Sequence, residues 1–232
     1  MPLSRFFAAT YDRGLRRAED AGLRDRRARL LAGLEGDVLE VGAGTGLNLE
    51  HYPAGVRLVL AEPDPYMRRL LVDRLGESSR EATVVEATAE ALPFGDNSFD
   101  AVVSTLVLCS VHSVPEALAE IRRVLRPEGA LLLIEHVRGT GGRAFLQEVV
   151  APVSRLLFSC SPDRRTAEDV RAAGFELEDK PFELTGGAPW TKPAIEGVAI
   201  RGFLTARPGR YSPVHGQDEE TIPLRTRRAR RP

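Results

Sequence analysis

Cysteine is scarce in this chain: Cys109 and Cys160 are the only two among 232 residues. That is too few for a disulfide framework. With no CxxC pair or Cys/His cluster along the sequence, no bound metal is expected. Long apolar runs are missing as well. The N-terminal MPLSRFFAATYDRG holds only Phe6–Ala9 as an apolar run, too short for a signal-peptide core. No stretch approaches the ~18–20 apolar residues of a membrane span. Neither charge sign is in excess: the formal net charge is −1, which argues against a general nucleic-acid partner even though the chain ends in the basic RTRRARRP. Internal repeats are absent. What remains is a cytoplasmic protein with no stable membrane insertion, and nothing in the sequence sets an oligomeric state. Hydrophobic content of 43% and charged content of 28% are globular values, and the length suits one domain of ordinary size.

Against this background the stretch Leu39-Glu40-Val41-Gly42-Ala43-Gly44-Thr45-Gly46-Leu47-Asn48 stands out. Gly36-Asp37 is a turn signal, Val38–Val41 reads as a short buried strand, and a helical stretch is expected from about Leu47. Glycines remove Cβ atoms, so the backbone can turn sharply and approach a ligand closely. Gly42 and Gly44 fit the first two positions of a GxGxxG dinucleotide fingerprint, but the third falls on Leu47. The run is GxGxG, and Glu40 precedes it at the end of the strand. A carboxylate there suits a ligand with positive charge or many hydroxyl and amine donors, and suits a pyrophosphate badly.

The pattern E-x-G-x-G-x-G resembles motif I of the class I S-adenosylmethionine-dependent methyltransferases. The resemblance implies that Glu40 and the backbone of Gly42, Ala43, Gly44 and Gly46 hold the amino-acid end of S-adenosyl-L-methionine. Further stretches extend it. Val56–Ala61 reads as a second strand running into Glu62-Pro63-Asp64-Pro65, with a helix at about Tyr66–Leu75. An acidic residue about twenty positions beyond the first glycine, at the tip of strand two, can accept both ribose hydroxyls. Glu62, next to Pro63, takes that place, and an exposed loop tip is expected for it. After a short strand at Ala82–Glu86, ATAEALPFGDNSFD (residues 87–100) is similar to the DAxxLPFxDxSFD pattern of the ubiquinone/menaquinone C-methyltransferase-like group, methyltransferase domain type 11. It implies that Thr88 and Ala89 receive the adenine, with Thr88 standing where that group often carries Asp. Tyr11-Asp12 resembles the same group's N-terminal element, in which the tyrosine sits over the cofactor; a tyrosine that packs its helix to the core is the alternative.

The rest reads as alternating elements. Residues 1–36 form an N-terminal helical cap in two basic segments, Ser4–Arg17 and Asp20–Leu34. Ala101–Leu106 is an apolar, β-branched central strand. Val114–Leu125 is a helix stopped by Arg126-Pro127-Glu128-Gly129, and strand five follows at Ala130–Glu135. Ala144–Phe158 is helix-like, in the position where such enzymes usually place acceptor-binding insertions. Pro162–Ala173 is a helix, Phe175–Leu184 and Ala194–Phe203 are strands joined by a tight connection, and 207–232 is a disordered basic tail. The methyltransferase domain would then occupy residues 37–206. The fold expected is a doubly wound, Rossmann-like seven-stranded α/β sheet, mostly parallel with one antiparallel edge strand. Glu40, Glu62, Thr88, Ser104, Thr105, Leu106 and Glu135-His136 would share the rim formed by the strand carboxyl ends, with Ser104, Thr105 and Leu106 counted among the cofactor-binding residues.

TLVLCSV (residues 105–111) with EHV (135–137), HYPAG (51–55) and EPDP (62–65) resemble the methyltransferase-like 7 thiol methyltransferases, which carry Asp where Glu62 stands. The implied activity is methyl transfer from S-adenosyl-L-methionine to a small-molecule acceptor, thiols being one class. A quinone-ring or phospholipid-amine methyltransferase is the alternative. From other classes, a nicotinamide-dependent oxidoreductase is disfavoured by Leu47 and Glu40, and a non-catalytic cofactor-binding module by the complete rim. His136 is the candidate base, able to deprotonate a thiol or phenol near neutrality, or else a histidine that only supports its neighbours. Cys109 reads as a small buried apolar residue.

Overall fold

The computed structural model describes residues 2–186 and 188–202. The basic tail expected at 207–232 and the domain boundary at 206 lie outside the described residues.

Seven strands form one sheet in the order β3-β2-β1-β4-β5-β7-β6. They are β1 (Asp37–Val41), β2 (Arg57–Ala61), β3 (Ala82–Val85), β4 (Phe99–Thr105), β5 (Leu125–His136), β6 (Phe175–Glu183) and β7 (Pro193–Arg201). The first five run parallel. β7 is antiparallel to both β5 and β6, so the expected antiparallel strand sits in a hairpin at one edge, with β6 outermost. Central strands of a parallel sheet are covered on both faces and therefore read as continuous apolar runs. Val38, Leu60, Val103 and Leu132 pack on one face with Leu30, Leu31 and Leu34 from the N-terminal segment. Leu39, Val102, Leu131 and Leu133 pack on the other with Ala117, Leu118 and Ile121.

The helices are α1 (Pro2–Ala18), α2 (Arg24–Leu31), α3 (Pro65–Glu77), α4 (Val114–Val124), α5 (Gly141–Phe158) and α6 (Thr166–Ala172). α1 and α2 are the two expected N-terminal segments, separated where Gly22 adopts φ +112°, a conformation that glycine alone reaches at no steric cost. α3 begins at a strong cap: the Asp64 carboxylate accepts from the amides of Tyr66 (2.8 Å) and Met67 (3.0 Å), with Pro65 in the first turn. Of the four residues Glu62–Pro65, the last two therefore build the helix start.

Two local expectations are corrected. No α-helix follows the glycine run; a single 3₁₀ turn, Leu49–His51, connects it to β2. Asn48 and Tyr52 turn inward to make buried hydrogen bonds, which compete with continued helix, and Pro53 follows at once. β5 is longer than expected because Arg126–Gly129 stays within the strand as an irregularity in its pairing with β4, Glu128 taking φ +67°.

The LPFGDNSFD stretch is largely a latch. Phe94 and Phe99 meet edge to face at 5.0 Å. The Arg123 guanidinium on α4 donates to the carbonyls of Leu92 (3.0 Å) and Phe94 (2.7 Å) and pairs with Asp96 at 3.0 Å. These contacts anchor the segment that follows residues 88–91.

Candidate active site

Strand order reverses around β1, which has β2 on one side and β4 on the other. In open α/β sheets ligands bind at that switch point, beyond the strand carboxyl ends. The glycine run lies there, and its three glycines do different work. A Cβ on Gly42 would lie 2.7 Å from Val107 Cγ2, and one on Gly46 would lie 2.8 Å from Leu71 and 2.9 Å from Leu49. Those two glycines permit internal packing. At Gly44, with φ +59°, a Cβ would meet only the Gly42 carbonyl at 3.9 Å, so the open space that a closely approaching ligand needs exists at this position alone. Ala43 is buried and donates its amide to the Ala61 carbonyl at 3.0 Å, tying the turn to β2.

Glu40 lies beneath the turn and is 3% exposed. Its two oxygens accept from Asn48 Nδ2 (2.9 Å) and the Tyr52 hydroxyl (2.7 Å). Asn48 also donates to Thr105 Oγ1 at 3.1 Å and accepts from Arg27 at 2.9 Å, and Arg27 pairs with buried Glu19 at 3.1 Å. Burial pushes the Glu40 carboxyl up to about 7, against the pull of Tyr52, Asn48 and Arg27. Both oxygens of Glu40 are thus held within this network. Asn48, Tyr52 and Arg27 were not singled out in the sequence, where a lone Asn, Tyr and Arg carry no signal of inward orientation.

Glu62 is 6% exposed, contrary to the expected loop tip. Its Oε2 accepts from the Gly44 amide at 2.7 Å and its Oε1 from the Asp64 amide at 2.9 Å. Burial raises its pKa, opposed by these two amides. One carboxylate thus fixes both the glycine turn and the start of α3, and a carboxylate has lone pairs beyond two acceptor bonds. Pro63 is exposed beside it.

The remaining candidates divide. Thr88 is exposed, bridges to Ala91, and hydrogen-bonds the Glu90 carboxylate; Ala89 beside it is buried. Ser104 is fully buried and donates to Glu135 Oε1 at 2.7 Å, so it supports the rim from within. The same oxygen accepts from the amides of Val107 and Leu108, both at 3.0 Å. That bond pattern shapes the turn on which Leu106 takes φ +60°. Glu135 Oε2 is buried and has no hydrogen-bond partner within the protein, and burial raises the pKa of this carboxyl. Tyr11 stacks edge-on with Phe7 at 5.4 Å. Burial pushes its hydroxyl well above the usual tyrosine range. Its neighbour Asp12 accepts from Thr45 Oγ1 and pairs with Arg74, both at 2.5 Å, and so clamps α1 onto the glycine turn.

His136 ends β5 with Nδ1 3.6 Å from Cys160 Sγ. Cys109 joins them, the three ligand atoms lying within 4.8 Å of one another. The linear sequence shows no Cys/His cluster because the three come from the β4–α4 loop, β5 and the segment after α5.

Residues 39–133 match the family described as Methyltransferase domain. The human thiol S-methyltransferase TMT1B is 38% identical over 74% of this chain and 74% of its own length. A demethylmenaquinone methyltransferase of Thermobifida fusca is 37% identical over 52% of this chain and 48% of its own. The structure of a protein described as a possible histamine N-methyltransferase of Thermotoga maritima has the same fold, with a TM-score of 0.63, 21% identity, and coverage of 86% of this chain and 98% of that one. With the matching domain and these relatives, the chain is an enzyme of the S-adenosyl-L-methionine-dependent methyltransferase class. Within that class, the chain belongs to the family of the TMT1 proteins.

The double tie at Glu62 has a measurable consequence. Glu62→Ala leaves two half-buried amides without their charged acceptor, and hydrogen bonds to charged groups contribute about 1.5–3 kcal/mol each. The variant is expected to lose at least about 1.5 kcal/mol of unfolding free energy in urea. Unchanged stability would show that the two amides find other acceptors.

Proposed function

We propose that this methyltransferase methylates the sulfur of a small-molecule thiol. The extended similarity to thiol S-methyltransferases over most of the chain carries this reading. When bound, S-adenosyl-L-methionine supplies a methyl group on a positively charged sulfonium. The residues present fit it: Gly44 opens space for close backbone approach, and two buried carboxylates lie under and beside that space. In this reading Glu40, Gly42, Ala43, Gly44 and Gly46 position the amino-acid end, with Thr105 steadying Asn48. Glu62, flanked by Pro63, accepts from the ribose hydroxyls, and Thr88 and Ala89 line the adenine. Leu106 borders the cofactor and Tyr11 covers the site, while Ser104 holds Glu135. Holding a nucleophile in line with its target can contribute ~7–11 kcal/mol, so positioning is this chain's main contribution. A free thiol has a pKa near ~8.5, so little help is needed to expose the thiolate, and His136 is the group on the rim that can take the proton.

A quinone-ring or phospholipid-amine acceptor is the second reading, favoured by the match to the demethylmenaquinone methyltransferase. The acceptor is further proposed to be free of nucleic acid. Among the described residues no helix is long and apolar enough to cross a membrane; a cytoplasmic location is part of the proposal, since two neighbouring free thiols suit a reducing compartment.

A methyl-transfer assay over thiols, phenols, amines and quinones tests the acceptor. Methylation of alkyl or aryl thiols well above the other classes is expected; a quinone turned over in preference would replace the thiol reading.

Glu40 gives a second test. A cation bound nearby favours its ionised form, so its pKa falls from about 7 and a proton is released on binding. Release should be substantial at pH 6–6.5 and fade well above pH 7. Calorimetry of S-adenosyl-L-methionine binding in two buffers of different ionisation enthalpy is expected to show this, and Glu40→Gln to abolish it. Buffer-independent heats at pH 6–6.5 would remove Glu40 from the site.

A further inference from the structure

Both cysteines of the chain meet at one place on the rim. Cys109 is 2% exposed and Cys160 8%, and His136 is partly exposed. Cys160 Sγ and His136 Nδ1 are 3.6 Å apart, and Cys109 Sγ completes a trio in which every separation is within 4.8 Å. A tetrahedral zinc ion with Zn–S of about 2.3 Å and Zn–N of about 2.0–2.1 Å sets its sulfur and nitrogen ligands about 3.6 Å apart. The observed pair already has that spacing.

Cys109 Sγ also lies 3.6 Å from the Leu106 carbonyl and from Ser110 Oγ, and further bonds that do not involve the ligand atoms hold the three residues. The Ser161 amide donates to the Cys109 carbonyl at 2.8 Å. Arg164 donates to the carbonyls of Leu108 and Val111 on either side. Thr166 Oγ1 donates to the His136 carbonyl at 3.2 Å, and the Arg138 amide to the Arg164 carbonyl at 2.8 Å. Glu135 fixes the turn before Cys109 through the Val107 and Leu108 amides. Ligands from three distant segments are thus preorganised on one scaffold, as a metal site requires.

We propose that Cys109 Sγ, Cys160 Sγ and His136 Nδ1 form a three-ligand site for a zinc-class divalent ion, whose fourth position receives an external thiol as thiolate. Two thiolates and one imidazole are a soft donor set of the kind that selects zinc. Three protein ligands with one open position is the arrangement of catalytic zinc sites. Metal binding displaces the two cysteine protons to solvent, with no change of oxidation state. A thiol entering the fourth position forms a metal–sulfur bond and gives up its proton to solvent, because a coordinated thiol is deprotonated outright. His136 then serves as a ligand, and the metal takes over the thiol activation that a free imidazole would otherwise provide. The fourth-ligand step rests on the thiol-acceptor reading; the metal site does not.

The test uses the full chain, reduced under anaerobic conditions and titrated with Co2+ as a spectroscopic substitute for Zn2+. One equivalent is expected to bind, giving thiolate-to-cobalt charge-transfer absorption in the near ultraviolet and the intense visible bands of a tetrahedral site. Excess Zn2+ should bleach both. Cys109→Ser and Cys160→Ser should each weaken the charge-transfer absorption, and His136→Gln should lower Co2+ affinity. Circular dichroism of each variant separates ligand loss from unfolding. Adding 2-mercaptoethanol to the cobalt protein should increase the charge-transfer intensity. Reduced wild-type protein that takes up no Co2+, or binds it with a purely octahedral spectrum, overturns the site, even if thiols are methylated. A tetrahedral spectrum that 2-mercaptoethanol leaves unchanged overturns the fourth-ligand step. Conversely, cobalt binding with the thiol response but no thiol methylation would uphold the site and refute the acceptor reading.

Discussion

A carboxylate buried under a glycine turn is the constraint on which the rest of this site depends. Glu40 cannot be solvated where β1 places it, so every neighbour is organised to satisfy it. Asn48 and Tyr52 supply its two hydrogen bonds, and to do so the chain after Gly46 must abandon helical geometry. Asn48 in turn engages Thr105 on β4 and Arg27 on α2, and Arg27 is neutralised by Glu19. Strand β1, the post-glycine turn, β4 and the N-terminal helices are therefore joined by one buried polar network. Such networks specify a single arrangement when fully satisfied and are costly when broken. α1 and α2 are bound into the site through this network, and Asp12 adds a second attachment at Thr45.

Three carboxylates at the strand ends share a common logic. Glu40 shapes the floor, Glu62 ties the glycine turn to α3, and Glu135 shapes the turn beyond β4. Each is nearly or fully buried, and each is raised in pKa chiefly by that burial. A rim of buried carboxyls, whose ionised forms a nearby positive charge would favour, is matched to a cationic ligand. It is poorly matched to a pyrophosphate, which would face three acids and no helix N-terminus after the glycines.

Much of this was legible in the sequence because the central strands of a parallel sheet write themselves as separated apolar runs, as β1, β2, β4 and β5 do. E-x-G-x-G-x-G, EPDP and LPFGDNSFD located three of the rim segments. What could not be read was the division of labour inside each motif. Gly42 and Gly46 look the same as Gly44, yet only contact with Val107, Leu71 and Leu49 separates packing glycines from the one that faces open space. Asp64 and Glu62 are both acids two residues apart, but one caps a helix and the other is drawn inward by two amides. Ser104 lies on the expected strand end with its side chain directed into the core. The meeting of Cys109, His136 and Cys160 depends on tertiary packing of segments up to 51 residues apart and leaves no local pattern.

The central claim is that this carboxylate rim was shaped around S-adenosyl-L-methionine, with Gly44 as the point of close approach and Glu62 as the ribose acceptor. A crystal structure of the complex with S-adenosyl-L-homocysteine measures this directly. The account predicts both ribose hydroxyls within hydrogen-bonding distance of the Glu62 carboxylate, and the amino-acid end packed against the Gly44 backbone above Glu40. A ligand seated elsewhere, or a ribose that leaves Glu62 bonded only to the amides of Gly44 and Asp64, would contradict it.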